Sequence, residues 1–162
     1  MNQNIQSKIK DKIQEDISPT RNLSGIHLKI VFGIAILWTF FQLWYASPFP
    51  FWFNFGMFKG LPARAIHLGF ALTLAFLIFP AVRGKKISFF DILISITAAF
   101  CCLYIYFFYD DLVNRGGILL VKEIFGFKVP VELIIGATGI IILLEATRRA
   151  IGLPLVIIAI CF

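Results

Sequence analysis

The residues of this sequence that could do chemistry are a few acids, histidines and cysteines set among long apolar stretches. Asp91 and Glu132 each stand near one end of such a stretch, where a charge is costly unless it is paired or serves an ion pathway. A structural ion pair is the simpler interpretation of both. Glu132 shares a helical face with Gly136 and Gly139, which predicts that it points inward toward a Lys or Arg of an external loop. The candidate partners of Asp91 are Arg83, Lys85 and Lys86.

A second charged group closes the last long apolar stretch. Glu145 precedes Arg148 and Arg149 by three and four residues, so all three occupy neighbouring positions on a helix. One interpretation is a self-neutralised helix end at the membrane surface. The other is a docking surface for a further membrane domain.

Two histidines raise the possibility of haem, because haem iron takes axial histidine ligands. His27 begins one apolar stretch on the cytoplasmic side and His67 begins the next on the external side, so the two should lie most of a bilayer apart. Hydrogen-bonded histidines near the interface are therefore expected. Cys101 and Cys102 are adjacent inside an apolar stretch, which is typical of small apolar core residues rather than of a thiol exchange site.

The elements that must position these residues are membrane helices. Of the 162 residues, 59% are apolar, and they gather into runs of about 20 residues, the length that an α-helix needs to cross a bilayer. The net charge of +6 does not indicate nucleic-acid binding, because the basic residues stand at the ends of the apolar runs. The lipid bilayer is thus the expected environment.

The predicted fold class is an all-α integral membrane protein with a four-helix transmembrane bundle. A cytoplasmic amphipathic helix is expected within residues 1–25, and an interfacial aromatic hairpin at residues 48–55. An external loop is expected near residues 114–128. Residues 151–162 read as the start of a further transmembrane segment that is cut short. Within the membrane domain of residues 26–150, the helices are predicted at about 27–46, 64–82, 87–109 and 130–149.

Orientation follows from the distribution of basic residues. With the N-terminus inside, the cytoplasmic segments hold ten Lys and Arg residues and the external segments five, which favours both ends in the cytoplasm. The cytoplasmic ten are Lys8, Lys10, Lys12, Arg21, Lys29, Arg83, Lys85, Lys86, Arg148 and Arg149; the external five are Lys59, Arg64, Arg115, Lys122 and Lys128.

Six short stretches carry a resemblance to a known family. They are Arg21-Asn-Leu-Ser-Gly25, Phe41-Gln-Leu-Trp44, the pair Arg64-Ala-Ile-His-Leu-Gly-Phe-Ala71 and Phe76-Leu-Ile-Phe-Pro80, Tyr109-Asp-Asp-Leu112, and Leu144-Glu-Ala-Thr-Arg-Arg-Ala-Ile-Gly-Leu-Pro154. In this order and spacing the chain resembles the membrane component of tripartite ATP-independent periplasmic (TRAP) transporters. The resemblance is to the small-subunit-like part of fused permeases that work with TAXI-type binding proteins.

The resemblance implies a scaffold and membrane anchor in the cytoplasmic membrane of a bacterium or archaeon, and not an enzyme. Its implied partners are a large transport domain, normally fused C-terminally, and a periplasmic TAXI-type binding protein that delivers an organic acid or a similar solute. Substrate and sodium sites would lie in the transport domain, so no cofactor is expected here. Arg64 to His67 would brace the external end of the second helix, and Glu145 to Arg149 would form the joint to the transport domain. The alternatives are a membrane-embedded haem or quinone protein, and a structural protein that stands alone.

Overall fold

The computed structural model describes residues 20–21, 23–81, 87–116, 118–119, 121–124 and 127–161. The regular secondary structure of these residues is helical apart from one short antiparallel strand pair. The elements, in chain order, are α1 (Ile26–Ala46), α2 (Phe49–Phe53), α3 (Gly60–Ile78), α4 (Phe89–Asn114), β1 (Val121–Ile124), β2 (Phe127–Pro130), α5 (Val131–Ala150) and α6 (Leu153–Cys161).

Three of these helices, α1, α3 and α4, are long and apolar enough to cross a membrane. Their outer surfaces are strongly apolar; Phe32, Leu37 and Phe40 on α1, for example, are each at least 60% uncovered by other protein groups. Contiguous apolar surface on this scale is unfavourable in water and is covered by lipid in a bilayer. The chain is therefore a multi-pass membrane protein.

The long helix α3 lies at the centre of the bundle. It packs on α4 along their length, and Gly69 permits the closest approach, because a Cβ atom at that position would lie 3.2 Å from the Cβ of Cys102. Gly69 is thus a contact residue between α3 and α4. Helix α5 joins the same core with its second half, which contributes Ile142 and Ala146. Helix α1 packs on α3 through Val31.

Helix ends reflect local chemistry that the apolar runs alone do not reveal. α3 ends at Ile78, four residues before the predicted end, because Phe79 precedes Pro80 and is extended. α4 starts with a capping box in which Ser88 and Asp91 bond each other's backbone. It ends at Asn114, five residues past the predicted end at 109. The predicted bounds of α1 and α5 differ from the observed ones by one residue at most.

The segment between α1 and α3 folds back on Trp44. It holds the short helix α2, which is followed by its C-cap residue Asn54 with a positive φ of 49°. Trp44 contacts the rings of Phe49, Phe53 and Phe55 at centroid distances of 6.3–6.5 Å. The predicted aromatic hairpin is therefore a compact aromatic knob built on one short helix.

The segment expected as an external loop contains a two-stranded antiparallel sheet. β1 pairs with β2 so that Val121 lies opposite Pro130 and Ile124 opposite Phe127. The predicted amphipathic helix of residues 2–17 lies outside the described residues, as do Arg83, Lys85 and Lys86.

Candidate functional site

Asp91 is the centre of a buried charge network at one end of the bundle. Its Oδ2 lies 2.7 Å from Nη2 of Arg21, and its Oδ1 lies 2.7 Å from Nη1 of Arg149. All three side chains are 4% exposed. Oδ2 also accepts a hydrogen bond from the backbone N–H of Ser88 at 3.1 Å. One carboxylate thus caps α4 and pairs with two guanidinium groups.

The network continues along the last turn of α5. Nε of Arg149 lies 2.7 Å from Oε1 of Glu145. Arg148 donates two hydrogen bonds to the same carboxylate, from Nε at 2.7 Å and from Nη2 at 2.8 Å. The guanidinium of Arg149 also lies over the ring of Phe76, 5.0 Å from the ring centroid, in a cation–π arrangement. The predicted pairing of Glu145 with both arginines is confirmed.

Arg21 brings the segment before α1 into this network. Its backbone N–H donates to the carbonyl oxygen of Ile78 at 2.8 Å, and its Nη1 donates to that of Leu77 at 3.1 Å. These carbonyls belong to the last turn of α3, where backbone acceptors lack partners within the helix. Arg21 therefore satisfies the end of α3 and the carboxylate of Asp91 at once.

The network thus joins four parts of the chain: the segment before α1, the end of α3, the start of α4 and the end of α5. A buried ion pair of this kind adds little net free energy compared with apolar packing, but removing one partner leaves an uncompensated charge. Such a network is suited to fixing one arrangement of helices. It holds three arginines against two carboxylates, and Arg148, with a 39% exposed side chain, is its outermost member.

His67 forms a second, smaller cluster between α1 and α3. The indole Nε1 of Trp38 donates to its Nδ1 at 3.3 Å, and the amide nitrogen of Gln42 lies 3.0 Å from the same atom. The Trp38 and His67 rings meet edge-on with centroids 5.0 Å apart. Arg64, one turn earlier, is exposed. The structure thus places His67, rather than Arg64, at the contact between the two helices.

Glu132 pairs with Arg115 at the other end of the bundle, where α4 ends and α5 begins. Oε1 of Glu132 lies 2.5 Å from Nη2 of Arg115. The pairing of Glu132 with a basic residue is confirmed. Glu132, Gly136 and Gly139 line one cleft of about 260 Å³ between α3, α4 and α5, so they do share a face. Gly139 approaches Cys101, since an added Cβ would lie 3.9 Å from the Cβ of that residue. A Cβ at Gly136 would meet no atom within 4 Å, so this glycine faces the cleft instead of a close helix contact.

The two histidines lie far apart along the bundle, and the cysteines are divided between its core and α6. His27 lies eleven residues before Trp38, the partner of His67, which corresponds to about 16 Å along α1. Cys101 and Cys102 are buried in the contact between α4 and its neighbours, whereas Cys161 is exposed on α6. Within the described part of the chain, no three His, Cys, Asp or Glu side chains are grouped as metal ligands.

Of the predicted site residues, the structure brings Asp91, Glu145, Arg148 and Arg149 into one network and leaves Glu132, Arg64 and His67 apart from it. Arg21 was missed as the partner of Asp91, although it lies in one of the stretches that carry the family resemblance. A separation of 70 residues gives no spacing signal that could have linked the two.

A helical bundle with apolar outer faces and interhelical polar joints is the class of protein that the fold and these clusters define: a multi-pass membrane protein. Comparison of the chain with protein-family models, with curated proteins and with solved structures returned no match.

Proposed function

We propose that this chain is the scaffold and membrane-anchor portion of a TRAP-type secondary transporter. The observation that carries the proposal is that the stretches resembling that family meet in space. Arg21, from the first stretch, reaches Arg149, from the last, through Asp91. Gln42, from the second, contacts His67, from the third. Stretches that are far apart in sequence thus form the joints of one bundle, as a scaffold requires.

A fourth transmembrane helix belongs to this proposal. α5 has 20 residues, enough to span about 30 Å, and its central part from Leu133 to Leu144 carries no charge. Its charges lie near its two ends and are paired, Glu132 with Arg115 and Glu145 with two arginines. Pairing lowers the cost of placing such residues at the edges of the hydrocarbon region.

The proposed orientation puts the buried charge network at the cytoplasmic end. Arg21, Arg148 and Arg149 lie at that end together with the network. The aromatic knob around Trp44 lies at the other end, where aromatic rings suit the interface with water. The positive-inside rule then favours both chain ends in the cytoplasm, in the cytoplasmic membrane of a bacterium or archaeon.

In this role the chain supplies a fixed frame, and a large transport domain supplies the moving part. The substrate and sodium sites belong to that domain, and a periplasmic TAXI-type protein delivers the solute to it. The joint to the domain is the outer surface of the charge network. Arg148 is its most accessible member, because Arg149 and Asp91 are buried behind it.

Purification of the N-terminally tagged protein from its native membranes tests the proposal. Mass spectrometry should find a large TRAP transport domain, either in the same polypeptide or as a bound subunit. Where the domain is a separate subunit, Arg148→Glu should reduce its recovery at least tenfold. A matched Lys59→Glu variant, at the exposed Lys59–Asp110 pair on the opposite end, should retain it.

Two results would contradict this function. A visible haem band, or a bound quinone, in the purified protein would favour a redox protein. A homogeneous assembly of this chain alone, with no transport domain, would favour a structural protein that stands by itself.

A further inference from the structure

The contact between α1 and α3 contains a hydrogen-bond acceptor that exists in only one protonation state of a histidine. Trp38 and Gln42 both lie on α1, and both direct nitrogen atoms at Nδ1 of His67 on α3. An indole N–H can donate but cannot accept, so Nδ1 must be the unprotonated nitrogen. The ring is then neutral, with its proton on Nε2.

The indole also determines the orientation of the Gln42 amide. Since Nδ1 carries no proton, the group that faces it at 3.0 Å must be the amide NH₂ and not the carbonyl oxygen. Two donors from α1 thus share one lone pair on α3. If Nδ1 gains a proton, neither bond can form, and three donors face one another.

The surroundings of His67 offer little compensation for a positive charge. Arg64 lies three residues earlier on the same helix, and α1 has no acidic residue in its whole length. On α4, Tyr104 and Tyr106 lie near the level of Cys102, which contacts α3. In the described part of the chain no carboxylate makes an ion pair with His67: Asp110 pairs with Lys59, Glu132 pairs with Arg115, and Asp111 follows Asp110 on α4.

α1 also depends on this contact more than the other long helices do on theirs. α3, α4 and α5 share a common buried core, whereas Val31 is the one buried residue of α1. The remaining contacts of α1 with α3 are apolar or aromatic, such as Phe41 with Phe70 at a centroid distance of 6.0 Å. Losing the hydrogen bonds of Trp38 and Gln42 to His67 therefore acts on the least anchored of the long helices.

We propose that His67 is a pH-sensitive joint: the neutral ring holds the second half of α1 against α3, and its protonation releases that half. Histidine is the side chain whose unperturbed charge change falls between about pH 5 and pH 8, so pH is the variable that tests such a joint. The inference concerns the membrane bundle alone and does not depend on the transporter proposal.

Two measurements on the full chain in lipid nanodiscs test this joint. The first is the NMR signal of the Trp38 indole N–H, with the indoles of Trp44 and Trp52 as internal references. The second is hydrogen exchange of the α1 backbone, resolved by mass spectrometry. Between about pH 8 and pH 5, the range in which histidines titrate, the Trp38 signal should shift. Exchange in residues 36–46, corrected for the intrinsic pH dependence of exchange, should rise at least fivefold with the same midpoint.

His67→Gln keeps a hydrogen-bond acceptor that does not titrate, so both responses should vanish in that variant. Trp38→Phe keeps an aromatic ring but removes the N–H that determines the tautomer of His67. In this variant the rise in hydrogen exchange of residues 36–46 on acidification should be smaller. A Trp38 signal that does not titrate, one that titrates equally in His67→Gln, or a shift with no change in α1 exchange would each overturn the proposal.

Discussion

At the scale of single residues, the most constrained group is the carboxylate of Asp91. It lies between guanidinium groups from opposite ends of the described chain, and the three side chains are almost completely buried. Its charge is stabilised there by hydrogen bonds from Arg21, from Arg149 and from the backbone N–H of Ser88. The exposed pair of Lys59 and Asp110 is the natural contrast, because solvent can replace either member.

Asp91→Asn should therefore destabilise the protein strongly. Removal of one partner from a buried ion pair costs about 3–5 kcal/mol, because the remaining charges lose their compensation. Chemical unfolding in detergent micelles, followed by circular dichroism, measures the change in unfolding free energy. Asp110→Asn is the matched control, and a change of less than about 1 kcal/mol is expected for it. Equal losses of unfolding free energy for the two substitutions would show that the buried network stabilises the protein no more than an exposed ion pair does.

At the scale of elements, the apolar runs predicted where helices lie, and local polar chemistry determined where they end. The bounds of α1 and α5 follow from length and hydropathy. The predicted end of α3 at residue 82 was wrong by four residues, because Pro80 disfavours the helical conformation of Phe79, the residue before it. The strand pair β1 and β2 was not predicted, since four-residue strands carry too little periodicity to be distinguished from a loop.

Helix packing at Gly69 gives a prediction at this scale. Gly69→Leu should force α3 and α4 apart, because even a Cβ atom there lies 3.2 Å from the Cβ of Cys102. Overpacking of this kind costs about 1–3 kcal/mol. Gly136→Leu is the control on α5, where an added Cβ meets no atom within 4 Å. The melting temperature in detergent should fall for the first variant and stay near the wild-type value for the second. The reverse order would contradict the observed α3–α4 contact.

At the scale of the whole molecule, sequence patterns predicted the membrane helices but not the way their polar ends combine. The i+3 and i+4 spacing was sufficient for Glu145 with Arg148 and Arg149, because those contacts lie within one helix. The partners of Asp91 are 70 and 58 residues away, so only the folded arrangement reveals them. His67 was expected to brace its helix, whereas Trp38 and Gln42 could not be identified as its partners before α1 and α3 were placed side by side.

We propose that four helices cross the membrane, with the segments before α1 and after α5 in the cytoplasm. Single cysteines in a background without Cys101, Cys102 and Cys161 test it directly, using a membrane-impermeant thiol reagent on intact cells. Suitable exposed positions are Ser24, Met57, Ile118 and Ile151.

Cysteines at Met57 and Ile118 should be labelled in intact cells, and those at Ser24 and Ile151 only after the membrane is opened. Labelling of the Ile151 position from outside would show that α5 does not cross. Labelling of the Ser24 position from outside would show that the orientation is reversed.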